Sequence, residues 1–286
     1  MPELPEVQTV VDSLARKITG KVFELAEVKV PKMVSKNFKR FIKNKKVKKV
    51  YRRAKMVVME LASGESIIGH LKMTGQLIFV DKKGKAVGGG HPLESKDIDL
   101  TKPNKFTRII LNFQDQSRLL FHDVRKFGWI RLVTKQELEK IFARHGLEPL
   151  GKEFTLIKFR EILKRRPNLK IKQLLMTQEL IAGIGNIYAD ESLFASGIRP
   201  ERKAGSLKQA EIVKLHKAII RKLKAAVKLG GTSVNTFVNA DGERGRFVER
   251  LKVYRRGGLR CLGCNSVLKK IKIGGRGTVY CSKCQK

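Results

Sequence analysis

Apolar positions near the start of the chain follow a helical period. Over residues 5–19 they recur at spacings of three and four, and Gly20 supplies a stop signal. The stripe consists of Val7, Val10, Val11, Leu14 and Ile18. The spacing predicts an amphipathic helix directly after the first residues of the chain.

The period changes to two between Val22 and Val133. Short runs rich in β-branched and aromatic residues alternate there with Gly, Asp, Lys and Asn, and the clearest are 22–30, 55–61, 106–113 and 117–121. They predict an antiparallel sandwich or barrel. Residues 82–105 include Gly88-Gly89-Gly90 and Pro103, so we expect a long disordered loop within this β domain.

Helical periodicity returns at Thr134. Thr134 with Glu137, and Ser206 with Gln209, match the capping-box pattern at a helix start. The second of these helices can extend to Gly230. The polar residues 231–256 then predict a mobile loop before the last part of the chain.

The charge balance changes the picture, because 62 Lys and Arg face 26 Asp and Glu, for a formal net charge of +36. Such a field attracts polyanions, and nucleic acid is the leading partner. A membrane surface or a ribosome would also fit, so charge names no reaction. The chain has no apolar run long enough for a membrane span and no signal-peptide pattern, so we expect a cytoplasmic protein.

All four cysteines lie near the end of the chain, in two Cys-x-x-Cys pairs: Cys261, Cys264, Cys281 and Cys284. This pattern predicts one zinc ion with four thiolate ligands. Four protein ligands leave no position for water, so the ion is structural. Arg276, between Gly275 and Gly277, is expected at the turn of the same hairpin, where its guanidinium suits a phosphate or a base edge, or is simply solvated.

The first residues permit two interpretations. Pro5 in a first helical turn, with Glu3 and Glu6 near the positive end of the helix dipole, is ordinary helix chemistry. However, a small residue such as Pro2 permits removal of Met1. The secondary amine so exposed can form an iminium with a sugar carbon at the aldehyde level, and Glu3 and Glu6 are near enough to exchange protons with it.

Two further kinds of position suit nucleic acid. Gly183 and Gly185 precede a predicted helix that Asn186 could cap, which favours an anion such as phosphate, although glycine turns before helices are common. Met73, Arg125 and Phe127 occupy turn-like stretches. They are candidates for wedges in a base stack, against the more frequent alternative of burial in a core.

In this order, the motifs resemble the formamidopyrimidine-DNA glycosylase family over essentially the whole chain. The matching segments are Pro2-Glu3-Leu4-Pro5-Glu6-Val7, Arg53-Ala54-Lys55, His70-Leu71-x-Met73-x-Gly75, Arg125-Lys126-Phe127-Gly128, Gly183-x-Gly185-Asn186-Ile187-Tyr188-Ala189, Gly230-Gly231-Thr232 and the four cysteines. The resemblance implies an α+β fold: an N-terminal antiparallel β-sandwich with an N-terminal helix, then a helix-two-turn-helix bundle with a four-cysteine zinc-finger hairpin. We expect domains at 1–133, 153–254 and 255–286, with 134–152 as linker.

The implied activity is removal of 8-oxoguanine and ring-opened purines from duplex DNA, followed by β,δ-elimination at the empty sugar. By the same resemblance, Pro2 is the nucleophile, Glu3 an acid/base at the sugar, and Glu6 a supporting residue. Lys55 and Arg276 join the catalytic group by holding phosphates of the flipped nucleotide, together with the DNA-binding residues His70 and Asn186. Met73, Arg125 and Phe127 fill the vacated stack and address the orphaned cytosine.

The implied partner is damaged double-stranded DNA. The protein is expected to bind it as a monomer, in the bacterial cytoplasm and at the nucleoid. Three positions depart from the family pattern. Residues 82–105 form a longer insertion, Val124 stands where proline is frequent, and Asn235 stands where some members carry a basic residue. Residues 234–247 are expected to cap the flipped base without a catalytic role.

Three alternatives stay open. An endonuclease VIII-like enzyme for oxidised pyrimidines shares the fold and lyase chemistry, but that class typically opens Pro-Glu-Gly-Pro-Glu, whereas Leu4 stands here. A non-catalytic basic zinc-ribbon protein would need neither a free Pro2 amine nor Glu3. A degenerate family member would bind lesions without cutting.

Overall fold

The computed structural model of the chain describes residues 1–90, 99, 101–232 and 245–286. The chain divides into two compact units. The first comprises Met1–Ala143 with Leu229–Val248, and the second comprises Arg144–Lys228 with Glu249–Lys286.

Two antiparallel sheets form the body of the first unit. Five strands lie in the order β1-β7-β8-β5-β6, with bounds β1 Phe23–Val28, β5 Gly75–Val80, β6 Ala86–Gly90, β7 Thr107–Phe113 and β8 Arg118–Asp123. Four more lie in the order β2-β3-β4-β9, with bounds β2 Val47–Arg53, β3 Met56–Leu61, β4 Ser66–His70 and β9 Trp129–Val133. The runs that the period of two picked out are all strands, so the predicted sandwich is confirmed.

One hydrophobic core joins both sheets to the first helix, α1 (Leu4–Ile18). The helix contributes the predicted apolar stripe, and alternate residues of the strands, such as Phe23, Leu77 and Met59, complete the core. The helix therefore exists because its 3.6-residue period presents one face to a sandwich that presents every second side chain.

The outer sheet faces are also covered. Leu138 of α3 (Lys135–Ala143) packs with Val58 and Ile68 on the outside of the four-stranded sheet. On the five-stranded sheet, Ile78 and Leu120 belong to a separate buried cluster. Strand β5 is consequently buried at every position, which explains its continuous apolar run. A short helix, α2 (Phe38–Ile42), and a 3-10 turn, Pro31–Met33, follow β1.

The expectation of a disordered loop over residues 82–105 was wrong for its first part. Residues 86–90 form β6 and pair with β5. The glycine at position 90 is required by the strand pairing and does not indicate a loop. A Cβ on Gly90 would lie 2.7 Å from the Gln76 Cα, and Gly90 has a φ of +133°. Residues 91–98 and 100 lie outside the described residues.

Helices dominate the second unit: α4 Leu156–Arg165, α5 Ile171–Met176, α6 Asn186–Ser196 and α7 Gln209–Lys228. They are followed by a hairpin of β10 Lys269–Ile273 and β11 Arg276–Tyr280. Helix α6 packs on α5, on α7 and on β11. Thr155 caps α4 through Oγ1, which accepts from Lys158 N at 3.3 Å, and Gly197 ends α6 in the left-handed conformation.

Of the two predicted capping boxes, one forms. Thr134 N donates to Glu137 Oε2 at 2.7 Å, and Glu137 N donates to Thr134 Oγ1 at 3.3 Å. The Ser206 prediction was wrong, because Ser206 ends a 3-10 turn and its hydroxyl donates to Lys203 O. The start of α7 is bonded instead by Glu211, whose Oε2 accepts from Lys208 N at 2.7 Å.

Buried charges connect α6 to its surroundings in the second unit. Lys172 Nζ lies 2.7 Å from Asp190 Oδ1, and both side chains are almost completely buried. Glu191 Oε1 accepts the main-chain N–H groups of residues 252–254 at 2.8–3.1 Å. These bonds compensate the burial of the carboxylates and fix the chain that leads into the hairpin.

Among the helices that the structure describes, none is both long and apolar enough to cross a membrane.

His122 gives the first unit a predicted acid sensitivity. Burial lowers the pKa of His122 to about 4, and the charges of Arg108 and Lys29 add to the shift. Its stabilising contribution is therefore complete above the unfolded value near 6.5 and is lost as the pH falls towards 4. We expect His122→Gln to reduce the loss of unfolding free energy between pH 7 and pH 5 by about 2 kcal/mol.

Urea unfolding followed by the fluorescence of Trp129 measures this directly, because Trp129 is the single tryptophan of the chain and lies in the first unit. The assignment fails if variant and parent lose the same free energy over that pH range.

Candidate functional site

The first residues of the chain are held by a capping box at the start of α1. Glu3 N donates to Glu6 Oε2 at 2.8 Å, and the two glutamate side chains cap the helix reciprocally. Pro2, Glu3 and Glu6 are all buried. The ordinary helix role of these acids is therefore present, and it places two carboxylates beside Pro2.

Glu6 also bonds the segment that follows α7. Its Oε1 accepts from Thr232 N at 2.8 Å, so each carboxylate oxygen holds one main-chain N–H. Gly231 has a φ of +83°, and a Cβ there would lie 3.1 Å from Glu6 Oε1. The close approach explains why glycine precedes Thr232.

The chain closes on itself beyond this point. Arg246 N donates to Leu229 O at 2.9 Å, and Phe247 N donates to Gly231 O at 3.2 Å. The expectation of a mobile segment over 231–256 is therefore wrong for residues 231–232 and 245–250, the latter including a 3-10 turn at Phe247–Arg250. Residues 233–244, which include most of the expected cap over the base, lie outside the described residues.

Lys55 and His70 lie at neighbouring strand ends in the first unit. Lys55 is in the tight turn between β2 and β3, and Met56, the next residue, pairs with His70. The turn is tied to α1, because Arg52 donates both to Ala54 O (2.8 Å) and to Gln8 Oε1 (2.9 Å). The fold thus brings the Lys55 turn to the helix that carries Glu3 and Glu6.

Asp123 joins the two wedge loops, residues 71–74 and 124–128, which carry the wedge candidates Met73, Arg125 and Phe127. Its Oδ2 accepts from Gly128 N at 2.7 Å, and its Oδ1 accepts from Arg125 N at 3.0 Å and from the Thr74 hydroxyl. Asp123 is fully buried. A Cβ on Gly128 would lie 2.7 Å from Phe121, so the loop passes tightly over β8.

The side chains on these loops point away from the core. Phe127 is 58% exposed and Met73 is 37% exposed, and Arg125 is also exposed. The alternative of burial in the core is therefore excluded for these residues. Large apolar side chains are exposed elsewhere too, such as Ile157 at 67% and Leu262 at 61%, so the distinguishing feature of Met73 and Phe127 is exposure on loops that are held by buried hydrogen bonds.

In the second unit, Asn186 contacts the hairpin. Asn186 is the first residue of α6, and its Nδ2 donates to Gly277 O at 3.0 Å. The expectation that Asn186 caps the helix was wrong, because Gly185 occupies the cap position. The amide instead links the helix start to the residue beside Arg276.

Helices α5 and α6 fix the position of Arg276. Arg276 opens β11 directly after the turn residues Gly274 and Gly275, which have φ values of +55° and +75°. Gly277 O also accepts from Lys172 Nζ at 3.2 Å, and Val279 N donates to Asp190 Oδ2 at 3.2 Å. The exposed guanidinium therefore projects from a strand whose backbone is bonded to α5 and α6.

The four cysteines form a candidate metal centre. Their Sγ atoms all lie within 4.8 Å of one another, with Cys264 and Cys281 at 3.4 Å and Cys261 and Cys284 at 3.9 Å. A tetrahedral zinc ion with bonds of about 2.3 Å requires sulfur separations of roughly 3.8 Å. The donor set and its spacing therefore fit zinc.

Neighbouring groups favour the thiolate form of Cys264 and Cys281, whereas burial and the adjacent cysteines raise the pKa of Cys284 to about 12. Gly263 N donates to Cys261 Sγ and Cys284 N donates to Cys281 Sγ, both at 3.4 Å. A hydrogen bond from Ser266 lowers the pKa of Cys264. Burial opposes ionisation of Cys281, but the Ser266 hydroxyl and main-chain donors lower its pKa to about 6. Thiolates are the form that binds metal.

Comparison with known proteins agrees with this geometry. Residues 1–130 match the family model for the formamidopyrimidine-DNA glycosylase N-terminal domain, and residues 145–238 match the model for the helix-two-turn-helix domain of the same enzymes. The chain belongs to the formamidopyrimidine-DNA glycosylase family. The resemblance inferred from the sequence is confirmed, and so is the α+β fold class.

Individual relatives match over their full length. The formamidopyrimidine-DNA glycosylase of Pelotomaculum thermopropionicum is 39% identical, with 100% of this chain and 99% of the relative covered. The enzyme of Streptococcus mutans is 37% identical, with full coverage of both. The Lactococcus lactis protein bound to DNA with an abasic site has 33% identity and a TM-score of 0.86, and 99% of each chain is covered.

Sequence reasoning on this family member missed the residues that hold the site. No catalytic or ligand-binding sequence motif singles out Asp123, Lys172 or Asp190. Thr232 stood out only as part of a segment that matches the family. Asp123 carried one usable signal, since an aspartate two residues before a turn residue is typical of an Asx turn. The others act across distances in the sequence that no local pattern reports.

Asp123→Asn tests the bonding of the wedge loops. The amide keeps one acceptor oxygen, and its NH2 group cannot accept from the main chain. Gly128 N and Arg125 N then share one oxygen, although Arg125 N keeps Thr74 Oγ1 at 3.1 Å as a second acceptor. We expect amide exchange with solvent across residues 124–128 to become about 10- to 100-fold faster, as measured by hydrogen–deuterium exchange mass spectrometry.

Asp115→Asn is the matched control, because Asp115 makes a similar turn contact to Ser117 N (3.1 Å) in the β7–β8 connection. Unchanged exchange in Asp123→Asn, or an equal effect of Asp115→Asn on residues 123–128, would contradict the role of Asp123.

Proposed function

We propose that this chain is a base-excision DNA-repair enzyme that removes oxidised purines from duplex DNA and then cuts the strand at the empty sugar. The observation that carries the proposal is the constellation at the start of α1: a proline followed by two buried, reciprocally bonded glutamates. Full-length family membership supports the same activity. Solved Lactococcus lactis relatives are bound to Fapy-dG-containing DNA and to an abasic site.

Pro2 is the proposed nucleophile once Met1 has been removed. Its secondary amine attacks C1′ of the damaged nucleotide, and the bond between C1′ and the base breaks with its electron pair leaving on the base. A terminal amine titrates near pH 8 and a lysine near 10.4, so the terminus is the more available nucleophile at neutral pH. Opening of the sugar then gives an iminium at C1′.

Glu3 is the proposed acid/base at the sugar, and Glu6 is its support. Both oxygens of Glu6 accept main-chain N–H groups, which suits a positioning role rather than proton transfer. Glu3 adjoins Pro2 and can donate a proton to the sugar oxygen as the ring opens. Removal of a C2′ proton expels the 3′ phosphate, and a second elimination expels the 5′ phosphate.

The remaining site residues are proposed to hold the DNA. Lys55, His70, Asn186 and Arg276 bind phosphates of the flipped nucleotide. Met73 and Phe127 fill the gap in the stack, and Arg125 addresses the orphaned cytosine. Extrusion of a base costs a few kcal/mol, which such wedges and phosphate contacts must offset. The exposure of Met73 and Phe127 supports this role.

One zinc ion is the proposed metal, held by Cys261, Cys264, Cys281 and Cys284. When bound, it cross-links the two ends of the hairpin and supplies no chemistry to the reaction, because four thiolates fill its coordination. The cysteines then fix the base of the strand pair from which Arg276 projects.

Borohydride trapping tests the imine. We expect the protein, with Met1 shown to be absent by mass spectrometry, to form a covalent adduct on duplex DNA with one 8-oxoguanine opposite cytosine. An added residue before Pro2 turns the amine into an amide and should abolish the adduct. Glu3→Gln should slow base release by about 10²- to 10⁴-fold in single-turnover assays, because it removes one acid/base.

Lys48→Gln serves as a control, because this exposed lysine pairs with Glu60 on the sheet and belongs to no proposed site. Stronger trapping on an oxidised-pyrimidine duplex would assign the protein to endonuclease VIII-like specificity. No adduct on either duplex would refute the enzyme and leave a binding protein.

Removal of the metal should weaken DNA binding rather than act on the chemical step. We expect one zinc per chain by mass spectrometry, and chelation or Cys264→Ser to disorder the hairpin and weaken binding to an abasic duplex at least tenfold, because folding of such units depends on the metal. Circular dichroism and anisotropy measure the two effects. Full-affinity binding by metal-free protein would contradict the proposed role of the finger.

A further inference from the structure

A pocket of about 490 Å³ lies in the first unit beside the wedge side chains. The proposed function uses two of its lining residues, Met73 and Phe127, as wedges and assigns no ligand to the pocket itself. Its walls come from the 3-10 turn after β1, the two wedge loops and strand β9. The lining residues are Lys32, Met33, Lys72, Met73, Lys126, Phe127, Gly128, Trp129 and Arg131.

The chemistry of the lining is that of a nucleotide site. Lys32, Lys72, Lys126 and Arg131 are cations, and none of the lining residues listed above is acidic. Trp129 is partly buried, because it packs against the cluster of Val58 and Ile68, and the exposed part of its ring supplies an aromatic surface beside Phe127. Cations that follow a phosphate backbone, combined with an aromatic ring on which a base stacks, are the recurrent elements of nucleic-acid grooves. The volume falls within the range of small-ligand pockets.

The pocket is built on bonded structure rather than on loose side chains. Trp129 pairs with His70 across β4 and β9, and their ring centroids are 5.9 Å apart. The Arg131 guanidinium lies over the indole at 4.9 Å from the ring centroid. Lys72 and Lys126 have φ values of +51° and +58°, and Lys72 N donates to His70 Nδ1 at 2.9 Å.

We propose that this pocket binds a nucleotide of the strand opposite the lesion, with its phosphate on the lysines and its base against Trp129. The inference rests on the proposed function, because it takes Met73 and Phe127 as the wedge. The damaged nucleotide is assigned to Pro2, Glu3, Lys55 and His70. None of these lines the pocket, and His70 borders it through its contacts with Trp129 and Lys72. The strand that remains beside the loop of Arg125 and Phe127 is the opposite one.

The single tryptophan makes the test direct. A duplex with a stable abasic analogue opposite cytosine is added to the protein, and Trp129 fluorescence is read at saturation. Three further duplexes lack one base of the opposite strand, at the orphan position or at either neighbour. We expect the first duplex to quench the Trp129 fluorescence and one of the three other duplexes to lose that quenching. The position of the missing base in that duplex identifies the bound nucleotide.

Variants provide an independent reading by anisotropy. Trp129→Ala should weaken binding of the abasic duplex roughly tenfold, and Trp129→Phe should restore it, because one base–aromatic stack contributes on this scale. Arg131→Gln should lower the slope of log affinity against log salt by about one, as for one lost phosphate contact. Lys83→Gln, an exposed lysine in the β5–β6 turn, removes the same charge outside the pocket and should leave the slope closer to the parent's.

The outcomes separate the two proposals. Two results would refute the pocket proposal and leave the repair function intact, provided that the protein still prefers the abasic to the undamaged duplex. One is the absence of any quenching of Trp129. The other is quenching that none of the three base removals changes. Absence of any preference for the abasic duplex refutes the wedge, and the pocket inference falls with it. An equal effect of Arg131→Gln and Lys83→Gln would also count against the pocket.

Discussion

Buried carboxylates that accept main-chain N–H groups organise this structure. Glu6 bonds Glu3 N and Thr232 N, Asp123 bonds Arg125 N and Gly128 N, and Glu191 bonds three successive amides that lead into the hairpin. A buried charge is tolerated only when it is compensated, and a loop amide removed from water needs an acceptor. Each carboxylate meets both requirements at once, and Glu6 and Asp123 do so beside proposed functional residues. The segment held by Glu191 is also packed, because Val253 is fully buried in a hydrophobic cluster.

This division of labour suits the composition. In a chain of net charge +36, acids are scarce, and several of them are buried at these junctions. The lysines and arginines stay mostly on the surface, where they raise the local concentration of a polyanion without the cost of desolvation. Lys172 is the exception in the second unit, and it is buried because Asp190 and the Thr278 hydroxyl both lie 2.7 Å from its Nζ. Buried charge here serves geometry, and exposed charge serves binding.

Local patterns predicted the features that local physics determines. Helix α1, the strand runs and the cysteine cluster followed from periods of 3.6 and 2 and from the spacing of two Cys-x-x-Cys pairs. Strand β6 was missed because its glycines resemble a loop, and the close contact of Gly90 with Gln76 that requires glycine is revealed only by the folded sheet. Asn186 and Ser206 were given the wrong hydrogen bonds because a short polar side chain has several partners within reach. The contact of Glu6 with Thr232 spans 226 positions, and no window on the sequence contains it.

The same reasoning explains how exposed apolar side chains persist on the wedge loops. A flexible loop would fold Phe127 and Met73 back against the protein, because burial of either ring or thioether is favourable by a few kcal/mol. Asp123 and the tight passage of Gly128 over Phe121 deny the backbone that freedom. The cost of exposure is thus met during folding, which suits the proposed role of these side chains in a gap of the base stack. The neighbouring pocket adds cations and the indole of Trp129 to the exposed ring of Phe127, and in our proposal it extends that preorganised surface along the opposite strand.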